Sequence, residues 1–462
     1  MRTVLLVSYT FPPLYDVSGR RAAKLCKYLP AAGWRPVVLT RDWSTGITGE
    51  DRRAYVLASH PEALDALGGL AIVRAPYRSR DNVLRRLHER LGGAYASSGD
   101  STPAADARPN ASPAWTPRTL ARRTLSLFSP TFGDFPDAFR GWAAAAVRAG
   151  VEVVERESID AICSLCPPPT AHVVASEIAR RTGVPWVPQF DDLFSFRLDS
   201  HRPGPWRWHA ARAHRRWMRH ATLAGAITPA MLDYVRHAYD VDGGVVMVGF
   251  DPDETPTVER RRGDRLRLVY TGSVYLDDHR PELLFEAIER VLAARPEEEP
   301  RIEVAFAGTR RAAELRARAS RFPAAARACV FIERLTPEAT LRLQREADAL
   351  VLFNYTASAS STGTLSFPAK SFEYLSAGRP ILALPSDPGG WGDELLRTTG
   401  AGVAADSADA AARVLEEWLR IWSSGRELPY RGDAATIARY SQPRQAAALA
   451  GLLDRAAAHR RQ

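Results

Sequence analysis

Hydrophobic positions in this chain fall in short continuous runs, separated by longer polar stretches in which apolar residues recur every three or four positions. Residues 3–8 and 36–40 form two such runs, and between them Ala22, Leu25 and Leu29 share one face of the segment 20–32. Continuous runs of this length are typical of strands buried on both faces of a parallel sheet, and the intervening spacing predicts an amphipathic helix. The chain therefore opens with a predicted βαβ unit.

The same alternation extends along nearly the whole chain. Further strands are predicted at 71–75, 159–165, 186–188, 224–228, 245–251, 266–271, 303–307, 330–332, 349–353 and 380–384, with helices between them and a helical tail at 436–458. Repeated βα units predict an α/β fold with two Rossmann-like domains, at 1–251 and 252–427, with residues 428–462 as a C-terminal helical segment. Residues 92–117 are rich in Ser, Ala, Pro, Gly and Asp, and we expect them to form a flexible surface insertion.

Composition and charge narrow the class of protein. With 462 residues, 45% hydrophobic and 25% charged, the chain is of the soluble globular class and long enough for more than one domain. The net charge of +9 suits anionic partners such as nucleotide diphosphates, nucleic acid or an anionic membrane surface. No nucleic-acid recognition motif accompanies this charge, so we do not expect nucleic acid as a partner. No Gly-x-Gly-x-x-Gly follows the first strand, which argues against a nicotinamide or flavin enzyme.

The cysteines and the apolar runs give no sign of a metal site or an export signal. The chain contains Cys26, Cys163, Cys166 and Cys329, and the single Cys-x-x-Cys pair has no second pair to complete a zinc site. We therefore expect buried structural thiols and no metal. No apolar run reaches membrane-spanning length, and residues 4–7 are too short for a signal peptide, so we expect a cytoplasmic protein.

The segment 363–385 carries the clearest chemistry. A Ser/Thr/Gly loop leads into a predicted helix at 368–377, which has Pro368 in its first turn and Gly378 just beyond its end. A helix N-terminus of this kind favours an anionic group, Lys370 adds positive charge, and Glu373 can accept hydrogen bonds from sugar hydroxyls. A capped helix with a surface Lys–Glu pair explains the same residues, and at this stage both interpretations stay open.

The segment from Lys370 to Pro380 resembles the donor-site segment of retaining GT-B glycosyltransferases of family 4. The closest pattern is that of the bacterial branch with Lys-x-x-Glu-Tyr-Leu-x-x-Gly-x-Pro-Ile-Leu. The resemblance implies a GT-B fold, in which two Rossmann-like domains face each other across a cleft and the C-terminal helix returns to the first domain. It also implies transfer of a sugar from a nucleotide-diphosphate sugar to an acceptor, with retention of configuration and without a metal or other cofactor.

The resemblance assigns donor contacts residue by residue. Glu373 would hold the ribose hydroxyls, while Thr364, Leu365 and Lys370 would face the diphosphate and the sugar. The remaining donor contacts would be Gly19 in the first loop, Gly272 and Ser273 after the strand 266–271, and Arg334 and Leu335 beside the nucleobase. Many family members carry a glutamate at the position of Leu365, so the identity of the donor sugar is not predicted, and UDP, GDP and dTDP sugars all remain open. For Gly19, a simple turn glycine is an equal alternative.

Catalysis would rest on cations, because the leaving diphosphate gains negative charge in the transition state. Arg280 and Lys370 are the candidates, together with helix N-terminal amides. In the retaining chemistry that the resemblance implies, the departing phosphate itself accepts the acceptor proton, so no side-chain base is assigned.

Acceptor recognition is predicted from position along the chain. Asp191 and Asp192 follow the strand 186–188, and residues beyond the carboxyl ends of parallel strands line ligand sites in open α/β sheets. Trp142 is either a core residue or part of an acceptor cleft. The acceptor would be a small molecule, a glycan or a lipid-linked compound. The basic aromatic segment 206–220 is either a packing helix or a contact with an anionic membrane.

Two other functions fit the same residues. One is a different GT-B reaction on a nucleotide sugar, such as epimerisation or transfer to nitrogen or sulfur. The other is a non-catalytic nucleotide-sugar-binding scaffold, which the missing acid at Leu365 favours. An assay of products without an acceptor separates the first from glycosyl transfer, and binding without turnover identifies the second.

Overall fold

The computed structural model describes residues 1–45, 60, 62–65, 67–78, 135–137, 139–193, 204–259, 262–293, 301–355 and 368–459. The predicted insertion at 92–117 and the loop residues Thr364 and Leu365 lie outside these ranges. The chain divides into two compact units. Unit 1 contains residues 1–226, 232–246 and 446–462, and unit 2 contains residues 227–231 and 247–445.

Unit 1 is built on a seven-stranded sheet in which every pairing is parallel. Its strands are β1 (Arg2–Val7), β2 (Trp34–Asp42), β3 (Ala71–Pro76), β4 (Ala161–Cys166), β5 (Trp186–Phe190), β6 (Ala224–Ala226) and β7 (Gly243–Val245), in the order β3-β2-β1-β4-β5-β6-β7. The helices in this part of the chain are α1 (Val17–Tyr28), α2 (Glu62–Asp65), α3 (Ala143–Arg156), α4 (Pro169–Thr182), α5 (Gly204–Met218) and α6 (Pro229–Tyr239). The doubly wound order places the carboxyl ends of β1, β4 and β5 side by side.

Unit 2 contains a second parallel sheet of six strands. These are β8 (Leu266–Thr271), β9 (Ile302–Ala307), β10 (Cys329–Ile332), β11 (Ala349–Phe353), β12 (Ile381–Leu384) and β13 (Gly402–Ala404), in the order β10-β9-β8-β11-β12-β13. The helices that follow α6 are α7 (Glu282–Ala293), α8 (Ala312–Ala319), α9 (Pro323–Ala328), α10 (Pro337–Glu346), α11 (Lys370–Ala377), α12 (Trp391–Thr399), α13 (Ala408–Ser423), α14 (Ala434–Ala438) and α15 (Gln442–His459).

Both faces of each sheet are covered, which explains the continuous apolar runs. In β8, Leu268 and Tyr270 belong to one hydrophobic cluster, whereas Val269 belongs to a second cluster on the opposite face. In unit 1, Val4 of β1 packs in the same cluster as Leu453 of the C-terminal helix α15. The prediction of two parallel α/β sheets is confirmed, because strands buried on both faces need apolar residues at every position.

Two predicted elements differ from the structure. The strand predicted at 245–251 ends at Val245, because its partner strand β6 ends at Ala226, the residue paired with Val245. The tail predicted as one helix is interrupted between α14 and α15. There, the Phe250 amide donates to the Tyr440 carbonyl (3.0 Å) and the Gln442 amide donates back to the Phe250 carbonyl (2.7 Å). These bonds replace helical ones, so the helix restarts at Gln442.

No helix within the described ranges has the length and hydropathy needed to cross a bilayer.

Candidate functional site

Three turns lie side by side at the carboxyl edge of the unit 2 sheet. Gly272 follows β8, Gly308 follows β9 and Arg334 follows β10. The Gly272 amide donates to the Ala307 carbonyl (2.7 Å), and the Gly308 amide donates to the Ile332 carbonyl (3.0 Å). A methyl group built on Gly308 would lie 4.0 Å from the Cα atoms of both Gly272 and Arg334. Three of the predicted donor positions, Gly272, Ser273 and Arg334, therefore share one edge, which is where open parallel sheets bind ligands.

Lys370, the first residue of α11, reaches over the Gly272 turn. Its Nζ lies 2.6 Å from the Tyr270 hydroxyl oxygen and 3.9 Å from the centre of the Tyr270 ring. Gly272 has a φ of +88°, and a Cβ at this position would lie 3.3 Å from Lys370 Nζ. Glycine is thus favoured here both by the backbone conformation and by the close approach of the ammonium group. Tyr270 donates in turn to the Ser273 carbonyl (2.7 Å), so the lysine is tied to the turn through the tyrosine.

The protonation of Lys370 is finely balanced. The side chain is half-buried, and burial lowers its pKa to about 7, although the nearby Glu373 carboxylate opposes that change. At neutral pH the ammonium and amine forms are therefore both populated. An anion placed against Nζ would favour the charged form, so anion binding at this position is coupled to proton uptake.

Glu373 lies one turn further along α11 and is held at the same edge. Gln344 of α10 donates from Nε2 to Glu373 Oε2 (3.3 Å) and to Thr271 Oγ1 (3.0 Å). The Tyr374 hydroxyl accepts a hydrogen bond from the Thr271 amide (2.9 Å). These bonds attach α11 to the end of β8, so Lys370 and Glu373 are brought to the Gly272–Ser273 turn by the fold and not by a local sequence effect.

The other predicted unit 2 residues are less closely joined to this cluster. Arg280 and Arg334 are exposed, and within the described residues neither forms an ion pair. Leu335 is half-buried and packs against the hydrophobic cluster that contains Phe372. Arg280 lies in the turn before α7, where its carbonyl accepts from the Leu283 amide (3.2 Å). Both arginines are therefore exposed to solvent, whereas Lys370 is fixed by contacts.

Gly19 lies in the first turn of α1 and has a structural explanation. A Cβ at Gly19 would lie 2.3 Å from the Leu14 carbonyl oxygen, and its amide already donates to Asp16 Oδ1 (2.7 Å). Asp16 is the N-cap of this helix. Close packing against the Leu14 carbonyl therefore requires glycine here, and the contact with a diphosphate that the resemblance implies stays a prediction.

Asp191, at the end of β5, belongs to a buried network in unit 1. Its Oδ2 lies 2.6 Å from Arg21 Nε, and its Oδ1 accepts from Gln189 Nε2 (3.1 Å). Arg21 and Gln189 both donate to the Val246 carbonyl, each at 3.0 Å. Burial raises the pKa of Asp191, and the Arg21 guanidinium opposes that rise. Asp192 is half-buried, and its Oδ1 accepts from the Leu193 amide (2.9 Å). The two adjacent carboxylates therefore have different surroundings, and only Asp191 is paired with Arg21.

Trp142 is fully buried, and its ring contacts Tyr9 in a T-shaped arrangement at 5.5 Å. The structure therefore supports the core role of Trp142, because a fully buried ring presents no face to an acceptor. Asp137, five positions earlier, caps α4 by accepting from the Thr170 amide (2.7 Å) and the Thr170 hydroxyl (2.6 Å). The segment around these residues is explained by packing and capping.

Helix α5, the basic aromatic segment, packs against unit 1 through buried Ala210, His214 and Met218. Trp217 of the same helix lines a cavity of about 730 Å³ where α3 and α4 begin. These buried residues agree with the interpretation of the segment as a packing helix, whereas a membrane contact stays a prediction.

The cysteines are buried or half-buried free thiols, and burial raises the pKa of Cys163 to about 12. In the part of the chain that the structure describes, no group of three or more His, Cys, Asp or Glu side chains is placed to hold a metal ion.

Sequence patterns alone did not identify Tyr270, Gln344 and Tyr374 as neighbours of the site. Tyr270 lies in the predicted strand 266–271, and Tyr374 lies in the predicted helix 368–377. Both hydroxyls form hydrogen bonds at the site. The Tyr270 hydroxyl accepts from Lys370 Nζ, and the Tyr374 hydroxyl accepts from the Thr271 amide. The available signal was a tyrosine two residues before the Gly272 turn, because a buried tyrosine usually finds a partner for its hydroxyl.

Comparison with known proteins agrees with this architecture. Residues 265–420 match the family model described as Glycosyl transferases group 1. No curated protein matches the sequence. Among solved structures, the chain resembles the N-terminal domain of Candida albicans trehalose-6-phosphate phosphatase, with a TM-score of 0.60 and 11% identity, over 99% of this chain and 97% of that one.

Two further solved structures resemble the chain at similar levels. Anabaena HepE, solved in complex with UDP and glucose, has a TM-score of 0.52 and 12% identity, covering 99% of this chain and 98% of that one. Sucrose-phosphate synthase from Thermosynechococcus elongatus has a TM-score of 0.51 and 13% identity, covering 99% and 97%. At these identities the likeness shows the fold, and the family match over residues 265–420 supports glycosyl transfer as the class of activity. The chain therefore has the GT-B α/β fold, with a group 1 glycosyl transferase domain matched over residues 265–420.

Proposed function

We propose that this protein transfers a sugar from a nucleotide-diphosphate sugar to an acceptor hydroxyl, with retention of configuration and without a metal ion. The observation that carries the proposal is the placement of Lys370 Nζ over the Gly272 turn, with Glu373 one helical turn away. A cation and a hydrogen-bond acceptor at the carboxyl edge of a parallel sheet match the diphosphate and the ribose of a nucleotide.

The chemistry follows from where charge develops. When the bond between the sugar and the diphosphate breaks, negative charge grows on the leaving oxygen, and a fixed cation stabilises it. Lys370 supplies that cation, and the solvated Arg280 adds a second one once a diphosphate is bound. The departing phosphate oxygen takes the proton of the attacking hydroxyl on the same face of the sugar. No carboxylate base is required in this scheme.

The proposed partners are a nucleotide-sugar donor bound by unit 2 and an acceptor bound by unit 1. Anabaena HepE is solved with UDP-glucose, which makes a UDP sugar the first donor to test, before GDP and dTDP sugars. Thr364, Leu365, Ser273, Arg334 and Leu335 are the further proposed donor contacts. In unit 1, Asp192 is the proposed acceptor contact and Asp191 acts through Arg21. The acceptor is a small molecule, a glycan or a lipid-linked compound, and the protein acts in the cytoplasm or at the inner face of the membrane.

Nucleotide binding tests the donor site directly. Melting temperatures are measured with UDP, GDP, dTDP and ADP, with and without Mg²⁺, for the wild type, Glu373→Gln and the control Glu338→Gln. Glu338 is an exposed residue of α10 that pairs only with Arg342 among the described residues. A ligand at about 100 times its Kd stabilises the folded state by roughly 2.7 kcal/mol, which is readily measured.

We expect one diphosphate to stabilise the wild type and Glu338→Gln without Mg²⁺, and to lose most of its effect in Glu373→Gln. If none of the nucleotides stabilises the wild type, the donor site is wrong. Incubation of the donor sugar with acceptor candidates, with the anomeric configuration of the product read by NMR, then tests transfer and retention. Binding without any turnover would identify a scaffold instead.

A further inference from the structure

We infer that Tyr270 is a positioning residue for Lys370, whose amino group it holds above the Gly272 turn so that a diphosphate meets a lysine side chain already in place. The expected effect of Tyr270 on diphosphate binding rests on the proposed function. The effect of Tyr270 on Lys370 itself is measured without any nucleotide.

The Tyr270 ring cannot easily move. It is fully buried in β8, and its centre lies 5.0 Å from that of Phe353 and 6.0 Å from that of Phe306. Its hydroxyl donates to the Ser273 carbonyl at 2.7 Å, which fixes the direction of the O–H bond. The lone pairs of the same oxygen then face Lys370 Nζ at 2.6 Å. The tyrosine is therefore an immobile acceptor, and its orientation is set by the turn on which the diphosphate would lie.

A lysine side chain is normally mobile, and ordering one on binding costs conformational entropy. Here, the hydrogen bond to Tyr270 and the ring face below Nζ order Lys370 before any ligand arrives. An ammonium group has three N–H donors, and the bond to Tyr270 uses only one of them. The others can serve an anion, so the tyrosine orders the lysine without consuming its capacity to bind phosphate oxygens.

The hydroxyl also favours the charged form of the lysine. Burial raises the pKa of Tyr270 well above its usual value, so at neutral pH Tyr270 remains a hydroxyl that donates to Ser273 and accepts from Lys370. A hydrogen bond accepted from the ammonium form raises the pKa of the lysine, whereas burial lowers it. A change of Tyr270 to Phe keeps the ring, so Lys370 stays buried, but it removes the oxygen that accepts the hydrogen bond from Lys370. The pKa of Lys370 should then fall further below its usual value.

The test compares Tyr270→Phe with the matched control Tyr9→Phe. Both variants delete one buried hydroxyl and keep the ring, but the Tyr9 hydroxyl lies in unit 1, where it accepts from Arg41 Nη1 (2.5 Å). The chain has only three lysines, Lys24, Lys27 and Lys370, so labelling by acetic anhydride is followed residue by residue by mass spectrometry. In the wild type we expect the reactivity of Lys370 to rise with a midpoint near pH 7. The midpoint should move to lower pH in Tyr270→Phe and stay unchanged in Tyr9→Phe, with Lys27 as the internal reference.

UDP affinity gives the second measurement. Loss of a hydrogen bond to a charged group predicts about tenfold weaker binding at pH 7 in Tyr270→Phe. The loss should grow from pH 6 to pH 8, because less Lys370 is charged, while Tyr9→Phe keeps the wild-type pH profile. Equal labelling midpoints in Tyr270→Phe and the wild type would overturn the inference. Failure of UDP to bind the wild type would overturn the proposed UDP-donor function instead, and the labelling midpoints would then decide the role of Tyr270 alone.

Discussion

Arg21 in the first helix and Asp191 at the end of β5 form a buried ion pair in which Nε and Oδ2 are 2.6 Å apart. The two side chains are only 3% and 13% exposed. Removing either side chain leaves the charge of the other largely shielded from water, so the pair holds helix α1 against the end of β5 in unit 1.

Asp191→Ala should therefore destabilise the protein strongly, by about 3 kcal/mol, because it leaves the Arg21 charge buried without a partner. Urea unfolding of the full chain measures this as a lower midpoint. Asp192→Ala is the matched control, since it removes the adjacent, half-buried carboxylate. The double variant Arg21→Met/Asp191→Leu should recover much of the loss, because neither charge remains. Equal midpoints for Asp191→Ala and Asp192→Ala would show that the ion pair contributes little.

Gly272→Ala should weaken nucleotide binding by disturbing Lys370. The new methyl group would lie 3.3 Å from Lys370 Nζ, closer than an ordinary contact, so the ammonium must shift. Gly389→Ala is a matched control in unit 2, because Gly389 has a similar φ of +81° but no atom within 4 Å of the added Cβ. Both substitutions incur about 1–2 kcal/mol of backbone strain. Only Gly272→Ala should also raise the Kd for UDP, by roughly threefold to tenfold, in calorimetric titrations. The prediction fails if both variants bind UDP like the wild type.

Lys370→Met should raise stability at neutral and mildly acidic pH. The pKa of Lys370 is about 7 in the folded protein and 10.5 in the absence of burial, so between these values the unfolded chain binds the additional proton. The loss of folding stability caused by burying charged Lys370 is therefore fully present below pH 7, and it is relieved as the pH rises towards 10.5. Because the side chain is only half-buried, we expect a gain of about 1–2 kcal/mol at pH 6.5.

Thermal unfolding of Lys370→Met and wild type from pH 6 to pH 10 measures this effect. The difference between the two proteins should shrink steadily with pH, while Lys27→Met shows no such trend. A difference that is independent of pH would mean that the apolar side chain acts through packing alone.

His172 should make the protein sensitive to acid. It is fully buried, its Nδ1 lies 2.8 Å from Ser164 Oγ, and burial lowers its pKa to about 3. As the pH falls from 6.5 to 3, the unfolded chain binds a proton that the folded protein does not, so stability is progressively lost. His172→Gln removes this titration and should flatten the dependence of the unfolding free energy on pH. His237→Gln, at an exposed site, should retain the wild-type slope, and identical slopes in all three proteins would contradict the assignment.

The fold was largely predictable because it rests on local patterns. The runs 3–8 and 266–271 have continuous apolar centres at Val4–Val7 and Leu268–Tyr270, and such runs form strands only when both faces are covered, which requires parallel sheets with helices on each side. The patterns failed where a distant contact replaced a local one. At Tyr440, the bonds with Phe250 interrupt a tail whose own sequence favours a continuous helix.

The candidate site was predictable only in part. Lys370 and Glu373 lie within a few residues of each other, and Gly378 ends their helix in the left-handed conformation (φ +66°), so their shared position is a local property. The neighbours of Lys370 are not local. Tyr270 lies 100 residues from Lys370 along the chain, and the local pattern there predicts only a buried aromatic side chain in a strand.

By itself, the sequence determined two parallel α/β sheets and a Lys–Glu pair at the start of a helix, because hydrophobic spacing and helix-end residues act over a few positions. Only the tertiary structure decided that Tyr270 holds Lys370, that Gln344 holds Glu373, and that Asp191 pairs with Arg21. These contacts depend on which strands are neighbours and how helices pack across them. The protonation of Lys370 and Asp191 follows from the burial that this packing creates, so neither could be read from spacing along the chain.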